Sequence, residues 1–408
     1  MLIKRTIKVL DFKHIDQGVL MGISRRDQFT GSNNIAKPER LPEGAVVDAV
    51  NMDFTVGGKA ELRTGFELVR DDNDIRAVFS MGDSIAIVSG GQLIRITDSG
   101  DERLADVSLG PVAAVLHNSE LFLNTMADSL RISSKVEQWS VRDPSFDLEI
   151  TAGNFTAGIY KVAVTAVEGG VESGCMPMVV TLGDNQGVRV NVDDGRECRL
   201  YCSAANSTTL YYQGIAYPSN LLARPVDDTE RLVTDSLSSL PFCSYLESHQ
   251  SLIVGAQDRF VFYTQPMMPH LHNPEEDYIQ FPSPVTAVVS VGAGLYICAD
   301  KTYFITGLGG PEMMQNTVLE FGAIEGTVVK LPDGSAAWFC KYGQVIARRD
   351  GSTELINRAS YAPDTAEAGA SGFLEHNGNQ MIVTTMRGNP SSSALKSNDH
   401  WELEVVNP

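Results

Sequence analysis

The stretch VTAVVSVGAGLYICADKTYFITG, residues 285–307, reads as an apolar strand, a Gly-bearing turn, a second apolar strand, a polar turn and a third strand. Its middle run, Leu295 to Ala299, is apolar at every position. A strand with one wet face alternates apolar and polar residues. This one does not alternate, so something covers both of its faces.

The same layout recurs along the chain. IRAVFSMGDSIAIVSGGQLIRIT begins at Ile75, VAAVLHNSELFLNTMADSLRIS at Val112 and FCSYLESHQSLIVGAQDRFVFYT at Phe242. GTVVKLPDGSAAWFCKYGQVIARR begins at Gly326, and a weaker copy, SGFLEHNGNQMIVTTMRG, at Ser371. Neighbouring starts lie 37, 43, 41 and 45 residues apart, except for one gap of 130. Units of about 40–50 residues with three or four short strands are the mark of β-propeller blades. The expectation is an all-β chain, a propeller of about six blades. A large two-sheet sandwich with accidental regularity is the rival reading.

The long gap holds about 90 residues beyond one repeat of about 40. Within it, residues 146–220 carry six or seven strands, and GIYKVAVTAV alternates well. That count suits an inserted fibronectin-like or immunoglobulin-like sandwich. The expected organisation is a basic N-terminal arm at 1–40, a first propeller part at 41–145, the insert at 146–220 and a second propeller part at 221–408. The segment 221–240 is polar and acidic and leads the chain back.

The stretch VDAVNMDFTVGGKAELRTGFELV, 47–69, reads as a hairpin turning at 56–59, where paired glycines suit a two-residue loop. A lone hairpin is marginal in water. Propellers close by bringing strands from both termini into one blade. The hairpin is therefore expected to complete the last blade, beside GFLEH, QMIVTT and the final HWELEVV.

Charge and cysteine usage exclude several classes. The formal net charge is −19, with residues 1–40 at +4. An acidic body argues against a nucleic-acid coat, though not against a surface that DNA slides past. A basic arm on such a body could grip another copy of the chain, or be a solvated terminus. The N-terminus, MLIKRTIKVLDFKHID, has no apolar run for a signal peptide, and the 15 residues 285–299 are too few to span a membrane. Synthesis in a cytoplasm without membrane insertion is expected. Cys175, Cys198, Cys202, Cys243, Cys298 and Cys340 are scattered, with no C-x-x-C pair, so free thiols are the default.

No catalytic motif is found: no G-x-G-x-x-G, P-loop, G-x-S-x-G or H-E-x-x-H. In PMMPHLHNPEED, His270, His272, Glu275, Glu276 and Asp277 could ligate a cation, but a Pro-rich loop without fixed spacing is more often a connection. Asp333-Gly334 with Trp338 falls short of the sialidase-type turn, and is read as a hairpin turn with a core tryptophan. Trp139 and Trp401 are read as packing residues. Acid clusters at 71–74, 98–102, 192–197 and 225–230 are read as a solvated rim or, more sharply, a negative wall. No catalytic, cofactor-binding or metal residue is assigned.

Residues 33–69 resemble the opening of tail proteins of tailed bacteriophages, through Val50-Asn51-Met52 and Leu62-Arg63-Thr64-Gly65-Phe66. Residues 291–310 resemble a later blade strand of these proteins, and 262–289 a blade-to-blade connection. The resemblance is closest to the β-propeller tail nozzle (tubular, or stabilisation) proteins of short-tailed phages. It covers about 300 residues and leaves the insert out. It implies a non-enzymatic virion protein that assembles as a homo-oligomeric ring, commonly of six copies, below portal and adaptor. Such a ring continues the channel for genomic DNA without specific binding and adjoins tail fibres. The alternatives are a tail-tip receptor-binding protein and a glycan-acting propeller enzyme.

Overall fold

The computed structural model describes residues 28–388, apart from 48, 50, 56, 64–69, 73, 83, 98, 226–228, 364–365 and 377–378. The chain is all-β. Among the described residues there is no α-helix, and the single helical turn is a 3₁₀ turn at Pro38–Arg40. It is a fold of β-propeller type, built from five four-stranded antiparallel meanders in which each strand pairs with the next.

The first meander spans Ile75–Met81, Ser84–Ser89, Gln92–Thr97 and Gly100–Asp106. The second spans Ala113–His117, Glu120–Asn124, Ser129–Ile132 and Val136–Gln138. The third spans Tyr245–His249, Leu252–Gln257, Phe260–Tyr263 and Tyr278–Gln280. The fourth spans Ala287–Val291, Gly294–Cys298, Thr302–Thr306 and Met314–Leu319. The fifth spans Val329–Lys330, Ala336–Cys340, Gly343–Ala347 and Thr353–Ile356. Tight turns set the registers. Gly90 and Gly91, at φ 55° and 77°, close the first meander's Ser89–Gln92 loop with the two positive φ values of a type I′ turn.

The apolar middle strands are sandwiched, as their lack of alternation requires. In the fourth meander Leu295 and Ile297 pack with Val254, Val261 and Tyr263 of the third. On the opposite face, Tyr296 and Cys298 pack with Trp338 and Val345 of the fifth. The first and second meanders join in the same way, through Ala86, Val88, Leu93, Leu121 and Leu123. The second and third share Val115, Phe122, Trp139 and Ile253, although the 130-residue gap separates their repeats. The chain thus leaves the stack after the second meander and returns to the same place.

Between them, Ser145–Leu222 folds into two sheets. Ser145–Phe155, Gln186–Asp193 and Ser219–Leu222 form one. Gly158–Glu168 lies within the other, between Met178–Leu182 and Glu197–Ser203, and Leu210–Ala216 follows. Tyr160, Val162, Val164, Val188, Val190, Leu200 and Cys202 fill the space between the sheets. The returning segment straps the outer face of the larger sheet. Leu232 packs with Ala163, Tyr201 and Leu210, and Asp235 bridges Cys175.

Two sequence expectations need correction. The N-terminal hairpin exists, as Met52–Phe54 paired with Ala60–Leu62, but its loop has five residues, not two. Thr55 N donates to Lys59 O at 2.9 Å, and Gly58 alone of the glycine pair takes positive φ, 77°. Among the described residues this hairpin also pairs with no strand of the last repeat. That repeat is itself a two-stranded hairpin, Ala366–His376 with Asn379–Gly388, with no fully buried side chain among those described. The N-terminal segment instead reaches the C-terminal half through Asn33 and Asn34. The Asn34 side chain donates to Ala362 O at 3.1 Å and accepts from Ala362 N at 3.0 Å, and Asn33 Nδ2 donates to Ala359 O at 3.2 Å. Asparagine amides make these ties because each offers both donor and acceptor. The final HWELEVV, with Trp401, lies outside the described residues, as does most of the basic arm.

Candidate functional site

The first strands of successive meanders lie side by side, the second beside the first and third, and the third beside the fourth. Their polar residues form a ladder. His117 ends the second meander's first strand, and its Nδ1 shares a 2.8 Å hydrogen bond with Ser248 Oγ of the third. His249 holds the equivalent place in the third meander and shares a 2.9 Å bond with Ser290 Oγ of the fourth. Both imidazoles are buried, and burial pushes their pKa values below the usual histidine value, so both are neutral at neutral pH. A neutral ring accepts or donates at Nδ1 without a desolvated charge.

Two further ties link the third meander to the chain at 325–330. Lys330 of the fifth meander's first strand donates to Glu247 Oε1 of the third at 2.6 Å. Tyr245 Oη donates to Glu325 Oε1 at 2.8 Å. Glu247 is buried, and burial raises its pKa against the opposing pull of Lys330 and of backbone N–H groups. Glu247 is thus buried and Tyr245 half-buried, while their partners Lys330 and Glu325 are exposed. These ties hold the third meander to that segment.

These residues are absent from the sequence reading, yet a signal exists. Aligning the second and third repeats puts His117-Asn118-Ser119 over His249-Gln250-Ser251. A polar, ring-bearing residue at the same step of two repeats marks a shared inner contact.

The residues singled out earlier do not converge. His272 Nδ1 lies 3.0 Å from Ser238 O, and its ring packs edge-on to Phe262. His270 is held by the Glu172 backbone. Asp277 accepts from Asn273 N at 2.6 Å and from the Gln265 amide, while Glu275 and Glu276 are exposed. Among the described residues no three His, Cys, Asp or Glu side chains are grouped to hold a metal ion. Asp333 closes its turn by accepting from Ser335 N and Oγ at 2.9 and 2.6 Å, and Trp338 is wholly buried. Trp139 is a packing residue whose Nε1 donates to Pro269 O at 2.7 Å, tying the second meander to the third.

The acid clusters of the first meander are not a bare negative wall. Arg70 pairs with Asp72 and Asp101, Arg76 with Asp74, Arg95 with Glu102 and Arg103 with Asp106. All six cysteines are free and buried, and burial pushes Cys175, Cys202, Cys243 and Cys298 up to about 12. Thiols of this kind are inert. No described helix is long and apolar enough to cross a membrane.

The fold and its inner ladder define an all-β protein of β-propeller type. No known protein family matches the chain by sequence, and no curated protein does. Solved structures to which it is similar include streptogramin B lyase, at 10% identity over 79% of this chain and 96% of that one, with a TM-score of 0.31. Apo AztD from Citrobacter koseri matches at 12% identity over 78% and 90%, TM-score 0.27. The WD40 β-propeller domain of Doa1 matches at 10% identity over 71% and 96%, TM-score 0.20.

Proposed function

We propose that the chain is a structural protein of a bacteriophage virion, a nozzle or tail-tube component that assembles into a homo-oligomeric ring of six copies. The ring meets portal and adaptor proteins on one side and tail fibres on the other, and genomic DNA leaves through it. Each copy is a propeller of about six blades, with the hairpin at 366–388 belonging to the last. The N-terminal segment holds that region through Asn33 and Asn34. The two-sheet unit at 145–222 is a fibronectin- or immunoglobulin-like insert. Its larger sheet has the Met178–Leu182, Gly158–Glu168, Glu197–Ser203, Leu210–Ala216 order of a C′-C-F-G sheet.

The observation that carries this reading is the series of side-chain ties between neighbouring meanders, His117 to Ser248 and His249 to Ser290. Side chains of the third meander also meet Glu325 and Lys330 at 2.8 and 2.6 Å. In this reading the DNA path runs between copies, and each propeller is a wall block. Together with the resemblance of residues 33–69 to tail proteins, a stiff body tied by inner hydrogen bonds suits a wall better than a catalyst. The acidic net charge of −19 keeps phosphate from sticking.

Electron microscopy of the purified recombinant chain and of virions, with light scattering across concentrations, tests the reading. A ring with a central opening wide enough for duplex DNA is expected. A chain that stays monomeric at all concentrations and is absent from particles sinks it.

A further inference from the structure

The second meander, the sandwich and the returning segment meet at a cleft of about 580 Å³, lined by Gln138, Ser140, Arg142, Asp143, Glu168 and Arg196, among others. That volume and a place between two folded units are typical of small-ligand sites. Its polar groups are only partly engaged. Asp143 Oδ2 accepts from Ser238 Oγ at 3.4 Å, but its Oδ1 is buried with no partner among the described residues. That oxygen is sealed from the cleft, and burial raises the Asp143 pKa, so the groups open to a ligand are those at the rim. The Arg142 guanidinium is exposed and forms no ion pair within 4.0 Å among the described residues. Arg196, by contrast, is forked onto Asp194 at 2.9 and 2.5 Å and donates to Arg142 O at 2.8 Å.

A smaller cavity of about 170 Å³ adjoins the cleft and shares Ala127, Ser129 and Ser140 with it. It adds an apolar side, with half-buried Phe242, exposed Met126 and the buried Trp139. An apolar platform beside hydroxyl, amide, carboxylate and guanidinium groups matches a sugar, which has a C–H face and a hydroxyl rim. In the larger cleft two guanidiniums face two carboxylates, so the charges balance.

We propose that this paired cleft binds a neutral, hydroxyl-rich oligosaccharide, with Phe242 and Met126 under a sugar face and Arg142 and Gln138 on its hydroxyls. The inference stands apart from ring assembly and does not need it.

The test is saturation-transfer NMR on the full chain, with linear oligosaccharides of glucose, galactose and N-acetylglucosamine as probes. Transfer to at least one series is expected. It should fall at least fivefold in Arg142→Ala and in Gln138→Ala, exposed positions whose truncation leaves the fold intact. It should vanish in Ser140→Trp, which fills the cleft. No transfer to any series overturns the proposal. So does transfer that survives unchanged in Arg142→Ala and Gln138→Ala, because the sugar then sits elsewhere. Ring formation, read by microscopy on the same variants, reports separately on the nozzle assignment.

Discussion

Replacing Lys330 by methionine keeps most of the side chain's apolar stem and removes its charge. The Glu247 side chain is 9% exposed and Lys330 54% exposed. A hydrogen bond to a charged group contributes about 1.5–3 kcal/mol. Water can reach Lys330, which screens the pair and argues for the lower end, about 1.5 kcal/mol. At about 2–4 °C per kcal/mol for 150–250 residues, the melting temperature should fall by about 3–6 °C. The loss should depend on pH. Burial holds the folded-state pKa of Glu247 above its unfolded value. Its contribution is therefore fully present below the unfolded pKa and is lost as pH rises through the folded one. Removing Lys330 raises the folded pKa further, so the deficit relative to the parent should be largest at pH 8 and shrink toward pH 4.5. His249, which also feels Lys330, is buried neutral and titrates in both proteins. Adding Glu247→Gln should recover much of the loss at pH 8 and remove its pH dependence. Differential scanning fluorimetry of parent, single and double variants at both pH values is the assay. An equal deficit at pH 4.5 and pH 8, or a double variant as unstable as the two singles together, would refute the Lys330–Glu247 tie.

Trp338 is wholly buried against Tyr296 at 5.6 Å, with an indole N–H that finds no partner among the described residues. Trp338→Ala should cost about 3–5 kcal/mol, whereas Trp338→Phe should cost far less because it also removes an unsatisfied donor. Urea denaturation separates the two, and equal costs would contradict the packing. Replacing Asn33 and Asn34 together by alanine should free the N-terminal segment at a cost of about 1–3 kcal/mol for three hydrogen bonds, partly exposed. Limited proteolysis should then cut near residues 28–46 faster while the meanders stay intact, and unchanged cleavage would count against the tie. Deleting residues 1–65 should lower the melting temperature at least as much.

What was legible in the sequence was whatever strand periodicity reports. Leu295 to Ala299 lacks alternation because Leu295 and Ile297 face the third meander while Tyr296 and Cys298 face the fifth. That pattern announces two covered faces but not what covers them. The partners of His117, Glu247 and Trp139 lie 131, 83 and 130 residues away, and no local pattern encodes such distances. The inner histidines leave a trace only because two repeats carry the same His-x-Ser step. The cleft leaves none, since its residues come from a meander's last strand, from two loops of the sandwich and from the returning segment. Glycine pairing misled the hairpin reading for a related reason. Gly57 and Gly58 permit a two-residue loop, but the register that puts Phe54 opposite Ala60 fixes a five-residue one, and register is set by which side chains need burial. The asparagines at 33–34 precede that hairpin in the chain. Their work is at 359–362, where an irregular stretch of backbone offers C=O and N–H groups with no strand to pair them. An amide side chain fits that need, and a hairpin, whose own edges want straight neighbours, does not.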